Sequence, residues 1–144
     1  MREITIVLPV YNDWDAFALF VQELEQVATK NSFRARLVAV NDGSVHFPEM
    51  TDELRGFSHI TNVDVMHLSR NLGHQRAIAV GLSAINKEQI DNPIIVMDCD
   101  GEINQRIFPV YWMNMNNTLI PSSLPKEPVD PKGSGFFFFI GYSN

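Results

Sequence analysis

A chain of 144 residues with 45% hydrophobic content is long enough for one domain with a buried core and too short for two. Its formal net charge of −6 excludes a nonspecific nucleic-acid binder, because a phosphate backbone demands a basic face, and any phosphate ligand here needs local positive groups. A single cysteine, Cys99, cannot form an internal disulfide and fits a reducing cytoplasm. The first ten residues hold one apolar run of about five, well short of a signal peptide or a membrane span, so no part of this chain is expected to cross a bilayer.

In chain order, four apolar, β-branched runs at 4–8, 36–40, 63–68 and 94–97 read as strands. Between the first two, Phe17, Phe20, Val21, Leu24, Val27 and Ala28 recur three and four apart and predict an amphipathic helix, with Asn12 or Asp13 available as N-cap. Met50, Leu54 and Phe57 suggest a second, shorter helix. Ala77, Ile78, Gly81, Leu82 and Ile85 suggest a third. Continuous apolar strands separated by helices predict an α/β fold, with a parallel sheet covered on both faces and ligands at the carboxyl ends of the strands. After Glu102 the composition changes. Five of the eight prolines fall in the last 42 residues, and the first 102, with eight basic and fifteen acidic residues, carry −7 of the charge. The division expected is therefore 1–102 as the folded domain and 103–144 as an atypical Pro- and Phe-rich tail.

Each predicted strand is followed by a polar cluster: 9–13, 41–44, 69–75 and 98–102. In a parallel sheet these ends share one rim, so four clusters make one site. Asp98, Asp100 and Glu102 stand two apart, and on an extended chain all three carboxylates face one way while Cys99 and Gly101 face the other. Hard oxygen ligands suit Mg²⁺ or Mn²⁺, and a cation relieves the repulsion of three close acids. The competing reading is a solvated acidic turn. Cys99 reads as a small buried residue. The 70–76 segment opens the third helix, where free amides and the guanidinium groups of Arg70 and Arg76 favour an anion; the alternative is a polar loop with exposed arginines. Asp42 can accept hydrogen bonds from a base or ribose, with Gly43 allowing close approach of a ligand, although Asp-Gly-Ser is also common in plain turns. Tyr11 can stack on a base or sit half-buried at a strand end. His74 alone is weak evidence for catalysis. Zinc-ligand spacing, the G-x-S-x-G elbow, and the dinucleotide and P-loop fingerprints are all absent.

Taken together, Ile6-Val7-Leu8-Pro9-Val10-Tyr11-Asn12, Val40-Asn41-Asp42-Gly43-Ser44, Leu68-Ser69-Arg70-Asn71-Leu72-Gly73-His74-Gln75 and Val96-Met97-Asp98-Cys99-Asp100-Gly101-Glu102 resemble the family 2 glycosyltransferases. The likeness is greatest to those that move a sugar from a nucleotide onto a polyprenyl or dolichyl phosphate. The resemblance covers 1–102 and implies a Rossmann-like GT-A fold, a UDP- or GDP-sugar donor, a lipid-phosphate acceptor and a role in cell envelope biogenesis. By position it implies that Pro9, Tyr11 and Asp42 border the base and that Arg70 and Gly73 lie near the phosphates. Asp13 stands where the family carries an acid after Asn12, and it joins Asp98 in the nucleotide site. Asp98, Asp100 and Glu102 match D-x-D-x-Q/E, in which Asp100 and Glu102 face the metal. In such enzymes metal and arginines neutralise the departing nucleoside diphosphate while an acceptor oxygen attacks the anomeric carbon, assisted by a general base from the second half of the domain. The matched part ends at the metal motif, so the chain is expected to hold the donor and metal site, with a noncatalytic nucleotide-binding remnant or an unfolded gene fragment as the rival class.

The sequence also predicts that the tail arises from a one-base frame shift after Glu102. Codons rebuilt from each third base and the next two force Asp then Glu across Trp112-Met113-Asn114, and Glu again across Met115-Asn116. The shifted frame can read D-Q-P-E-D-I-P followed by an acidic helix, which resembles the family's continuation; the alternative is a divergent native tail. In the frame as given, the sheet is expected to end at the strand bearing Met97, and the 136–140 run to be an exposed aggregation hazard.

Overall fold

The computed structural model describes residues 1–48, 56–88, 92–99 and 138–140. Its elements run β1 (Arg2–Val10), α1 (Trp14–Asn31), β2 (Phe33–Asn41), β3 (Ile60–His67), α2 (His74–Lys87), β4 (Ile94–Val96) and β5 (Phe138–Ile140). The sheet order is β3-β2-β1-β4-β5, and β1 to β4 are parallel. All four strand expectations are met. Helix α1 and helix α2 lie where the apolar spacing puts them, and the helix suggested by Met50 and Leu54 falls outside the described residues.

The strands alternate between two apolar layers, as a period of two requires. Ile4, Ile6, Leu8 and Val10 of β1, Phe33, Ala35, Leu37 and Ala39 of β2, and Ile95 of β4 pack in one cluster with Trp14, Phe17, Phe20, Leu24 and Val27 of α1. Val7, Val38, Val40, Ile94 and Val96 face the other way and meet Ala77, Ile78 and Ile85 of α2. The sheet is thus covered on both faces. Phe17 and Phe33 are fully buried, each burial stabilising by about 1.5–3 kcal/mol. Helix α2 lies so close to the sheet that a Cβ on Gly81 would stand 2.8 Å from side-chain carbons of both Val7 and Val40.

Two salt bridges and one acid fix the end of the sheet away from the site. Arg36 pairs with Asp64 of β3 and with Glu88 just after α2, both at 2.6 Å. Glu25 of α1 accepts the backbone N–H groups of Ser58 at 2.9 Å, His59 at 3.1 Å and Ile60 at 2.9 Å, and the Ser58 hydroxyl at 3.0 Å. It thereby ties α1 to the start of β3.

Two expectations are corrected. The sheet does not end at β4, because β5 pairs with it antiparallel, Ile94 opposite Ile140 and Val96 opposite Phe138. The unpaired N–H and C=O groups of an open edge are satisfied by any extended segment that reaches them, and part of the 136–140 run does so. Neither Asn12 nor Asp13 caps α1 with its side chain. Asn12 instead adopts a left-handed φ of 56°, and its Oδ1 accepts the Val45 N–H at 2.9 Å, which joins two strand-end loops.

Candidate functional site at the strand ends

β1 lies between β2 and β4, and the chain order reverses there, so a crevice opens at the carboxyl ends of β1 and β4. A cavity of about 260 Å³ occupies this position, lined by Pro9, Tyr11, Asp13, Asp42, Asn71, Gly73, His74, Asp98 and Cys99. Every one of the four polar clusters contributes to it. Tyr11 is 51% exposed at the end of β1, which fits both positions expected for it.

The loops after β1 and β2 are clipped together. Ser44 Oγ accepts the Asn12 N–H at 2.8 Å and the Trp14 Nε1–H at 3.2 Å. Asn41 Oδ1 accepts the Ser44 N–H at 3.0 Å, which leaves the Asn41 amide to donate to His67 Nδ1, also at 3.0 Å. Phe47 packs edge-on against both Trp14 and His67, with ring centroids 4.7 Å away in each case.

Asp42 is 2% exposed, and its carboxylate accepts the Leu72 N–H at 2.7 Å and the Gly73 N–H at 3.1 Å. The amides before α2 are therefore not all free for an anion, as the sequence suggested; two are taken by Asp42. A carboxylate has about four acceptor positions, so Asp42 keeps capacity for a ligand donor. Gly43, with φ of +73°, makes room for the protein's own chain rather than for a ligand: a Cβ there would meet the backbone of Arg70 and Asn71. Gly73 is the N-cap of α2, with φ of 88°, and its carbonyl accepts the Ala77 N–H at 3.0 Å.

Beyond β4 the alternation continues for one more pair. Met97 and Cys99 enter the layer under α1, Cys99 being 5% exposed with its Sγ 3.8 Å from the Pro9 carbonyl oxygen. Asp98 stands near the first residue of α2, its Oδ2 4.0 Å from His74 Nδ1. Asp100 and Glu102 lie outside the described residues. Among the described residues no three acids, histidines or cysteines gather as a metal site. The cavity contains one member of the acidic triplet, Asp98, whose oxygens are of the type Mg²⁺ and Mn²⁺ prefer.

Of the seven residues expected around a nucleotide, Pro9, Tyr11, Asp13, Asp42, Gly73 and Asp98 line the cavity, while Arg70 is exposed and does not. Among the described residues the basic side chain that does line it is His74. Sequence reasoning gave His74 and Asn71 no role, although the passage from Gly73 into an apolar helical pattern is the signal that puts residue 74 at a helix start beside the rim.

The sequence profile of "Glycosyl transferase family 2" matches residues 5–117. The chain is 35% identical over 97 residues to the "Uncharacterized glycosyltransferase YkcC" of Bacillus subtilis, an alignment covering 67% of this chain and 28% of that protein. It is 26% identical over 98 residues to an uncharacterised glycosyltransferase of Synechocystis, covering 68% and 29%. The fold superimposes on S. aureus TarS 1-349 with a TM-score of 0.59 at 18% identity, covering 81% of this chain and 33% of TarS 1-349. On the same protein in complex with UDP-GlcNAc the TM-score is 0.56. The chain thus spans about a third or less of the proteins it matches. No helix among the described residues is long and apolar enough to cross a membrane. With the profile covering well over half of the sequence and a relative 35% identical over 67% of it, the chain belongs to glycosyl transferase family 2.

Proposed function

We propose that this chain holds a nucleotide-sugar, a UDP- or GDP-sugar, in the crevice at the carboxyl ends of β1 and β4, as the donor-binding part of a glycosyltransferase. The observation that carries this is convergence: residues from four separate polar clusters, 9–13, 41–44, 69–75 and 98–102, line one cavity. The exposed ring of Tyr11 offers a stacking face for a base, and the buried carboxylate of Asp42, held rigid by two amides, offers acceptors for a base or ribose donor. The likeness of fold to a protein that binds UDP-GlcNAc supports the same ligand class.

Asp100 and Glu102 would hold Mg²⁺ or Mn²⁺, with Asp98 facing the nucleotide. Such a cation supplies charge for the leaving diphosphate. In the described part of the site Asp42 orients the nucleoside beside Tyr11, and Pro9, buried at the end of β1, walls it. A polyprenyl-phosphate acceptor, a general base in a second half of the domain, and a role in cell envelope biogenesis complete the reading. The division at Glu102 and the frame-shifted origin of the tail belong to it as well. Because the chain spans under a third of its curated relatives, a binder without turnover is the second reading.

Thermal melting with UDP or GDP plus Mn²⁺ tests the proposal. A rise in Tm with one of them supports it, and no rise with either refutes it. Sugar transfer to a polyprenyl phosphate then separates enzyme from binder.

A further inference from the structure

The cavity poses a charge problem for the ligand just proposed. Among the described residues three carboxylates line it, those of Asp13, Asp42 and Asp98, and a nucleoside diphosphate brings more negative charge. Asp42 is answered by the amides of Leu72 and Gly73. Neither Arg70 nor Arg76 is among the lining residues, and both are exposed. Among the described residues His74 is the basic side chain that lines the cavity, and its Nδ1 lies 4.0 Å from Asp98 Oδ2, beyond hydrogen-bond distance. Its side chain is 43% exposed, so a ligand can reach it.

We infer that His74 is a donor-binding residue whose ring N–H donates to a phosphate oxygen of the nucleotide, at the end of the cavity where Asp98 stands. An imidazole ring N–H is a hydrogen-bond donor that suits a phosphate oxygen. This inference rests on the nucleotide-sugar reading. It adds a specific division of the cavity, with the nucleoside held by Tyr11 and Asp42 and the diphosphate at the His74 end.

The test is calorimetric titration of the full chain, its His74→Ala variant and its His74→Lys variant, in Mn²⁺, with UDP, GDP, uridine and guanosine. In the parent, one diphosphate and its own nucleoside bind. His74→Ala is expected to weaken the diphosphate at least fivefold and leave the nucleoside unchanged, and His74→Lys, which restores an N–H donor, to recover most of the loss. Equal loss for diphosphate and nucleoside would show a structural effect and overturn the assignment, as would an unchanged diphosphate affinity. A parent that binds the nucleoside but gains nothing from its phosphates overturns this inference while leaving a nucleoside site. A parent that binds none of the four overturns the nucleotide-sugar reading and this inference with it.

Discussion

Gly43 approaches Asn71 so closely that a Cβ on Gly43 would stand 2.4 Å from the Asn71 backbone nitrogen. Backbone cannot swing aside as a side chain can, and φ of +73° already disfavours any side chain at this position. Gly43→Ala is therefore expected to destabilise by about 2 kcal/mol or more and to lower Tm by several degrees. Because the 70–73 segment is also the one that Asp42 grips, the same variant should bind nucleotide more weakly. Thermal melting with and without UDP or GDP checks both effects; a variant that melts with the parent would contradict the close approach.

Glu25 links folding to acid. Burial pushes its carboxyl up, but the N–H groups of Ser58, Ile60 and His59 and the Ser58 hydroxyl outweigh this and hold it below its ordinary value of 4.5. A lowered folded-state value means that its contribution is fully present above the unfolded value and is lost as pH falls through the folded one. Glu25→Gln should destabilise the chain at neutral pH, by about 1–3 kcal/mol for the donors left poorly matched, and should flatten the fall in stability on the acid side of pH 4.5. Denaturant melts from pH 3 to pH 7 read this directly. Parallel curves for variant and parent would rule out the linkage.

The fold was legible because β1, β2 and β4 are buried on both faces along most of their length. Runs such as 4–8 stand out in sequence, and the helices between them show their spacing, so layer and order follow. Strand ends were less legible. β2 begins at Phe33, not at residue 36, because Arg2 pairs with Phe33 in the register, and pairing partners are not written in local composition. The site was legible as clusters but not as contacts. That Asp42 holds the amides of Leu72 and Gly73, thirty residues away, depends on the parallel pairing of β2 with β3, and the approach of His74 to Asp98 depends on α2 crossing from β3 to β4. β5 was misread because its three-residue antiparallel pairing joins segments more than forty residues distant, and no local pattern records it.

The acidic motif makes its own prediction. Removing one carboxylate from a metal set leaves diphosphate charge uncompensated, so Asp100→Asn should weaken Mn²⁺-dependent nucleotide binding at least tenfold, about 1.4 kcal/mol. Titration in Mn²⁺ and in EDTA is the check. Superimposable curves for variant and parent would remove Asp100 from the metal site.

The tail is tested by nucleic-acid sequencing. Reading the gene across the codons for Glu102 and Ile103 and restoring one base should give D-Q-P-E-D-I-P and then an acidic helix in open frame. An early stop, or a continuation unlike the second half of a glycosyltransferase domain, would defeat the frame shift and leave 103–144 as a native tail.

The central claim is a location: nucleotide binds at the carboxyl ends of the parallel strands. Amide chemical-shift mapping of the labelled chain with UDP or GDP in Mg²⁺ reads that location residue by residue. The account predicts shifts at Tyr11, Asp13, Asp42, Asn71, Gly73, His74 and Asp98, with Thr29, Ser58 and His59 at the other end of the sheet unmoved. Shifts centred on Ser58 and His59, or none anywhere at saturating nucleotide, would contradict it.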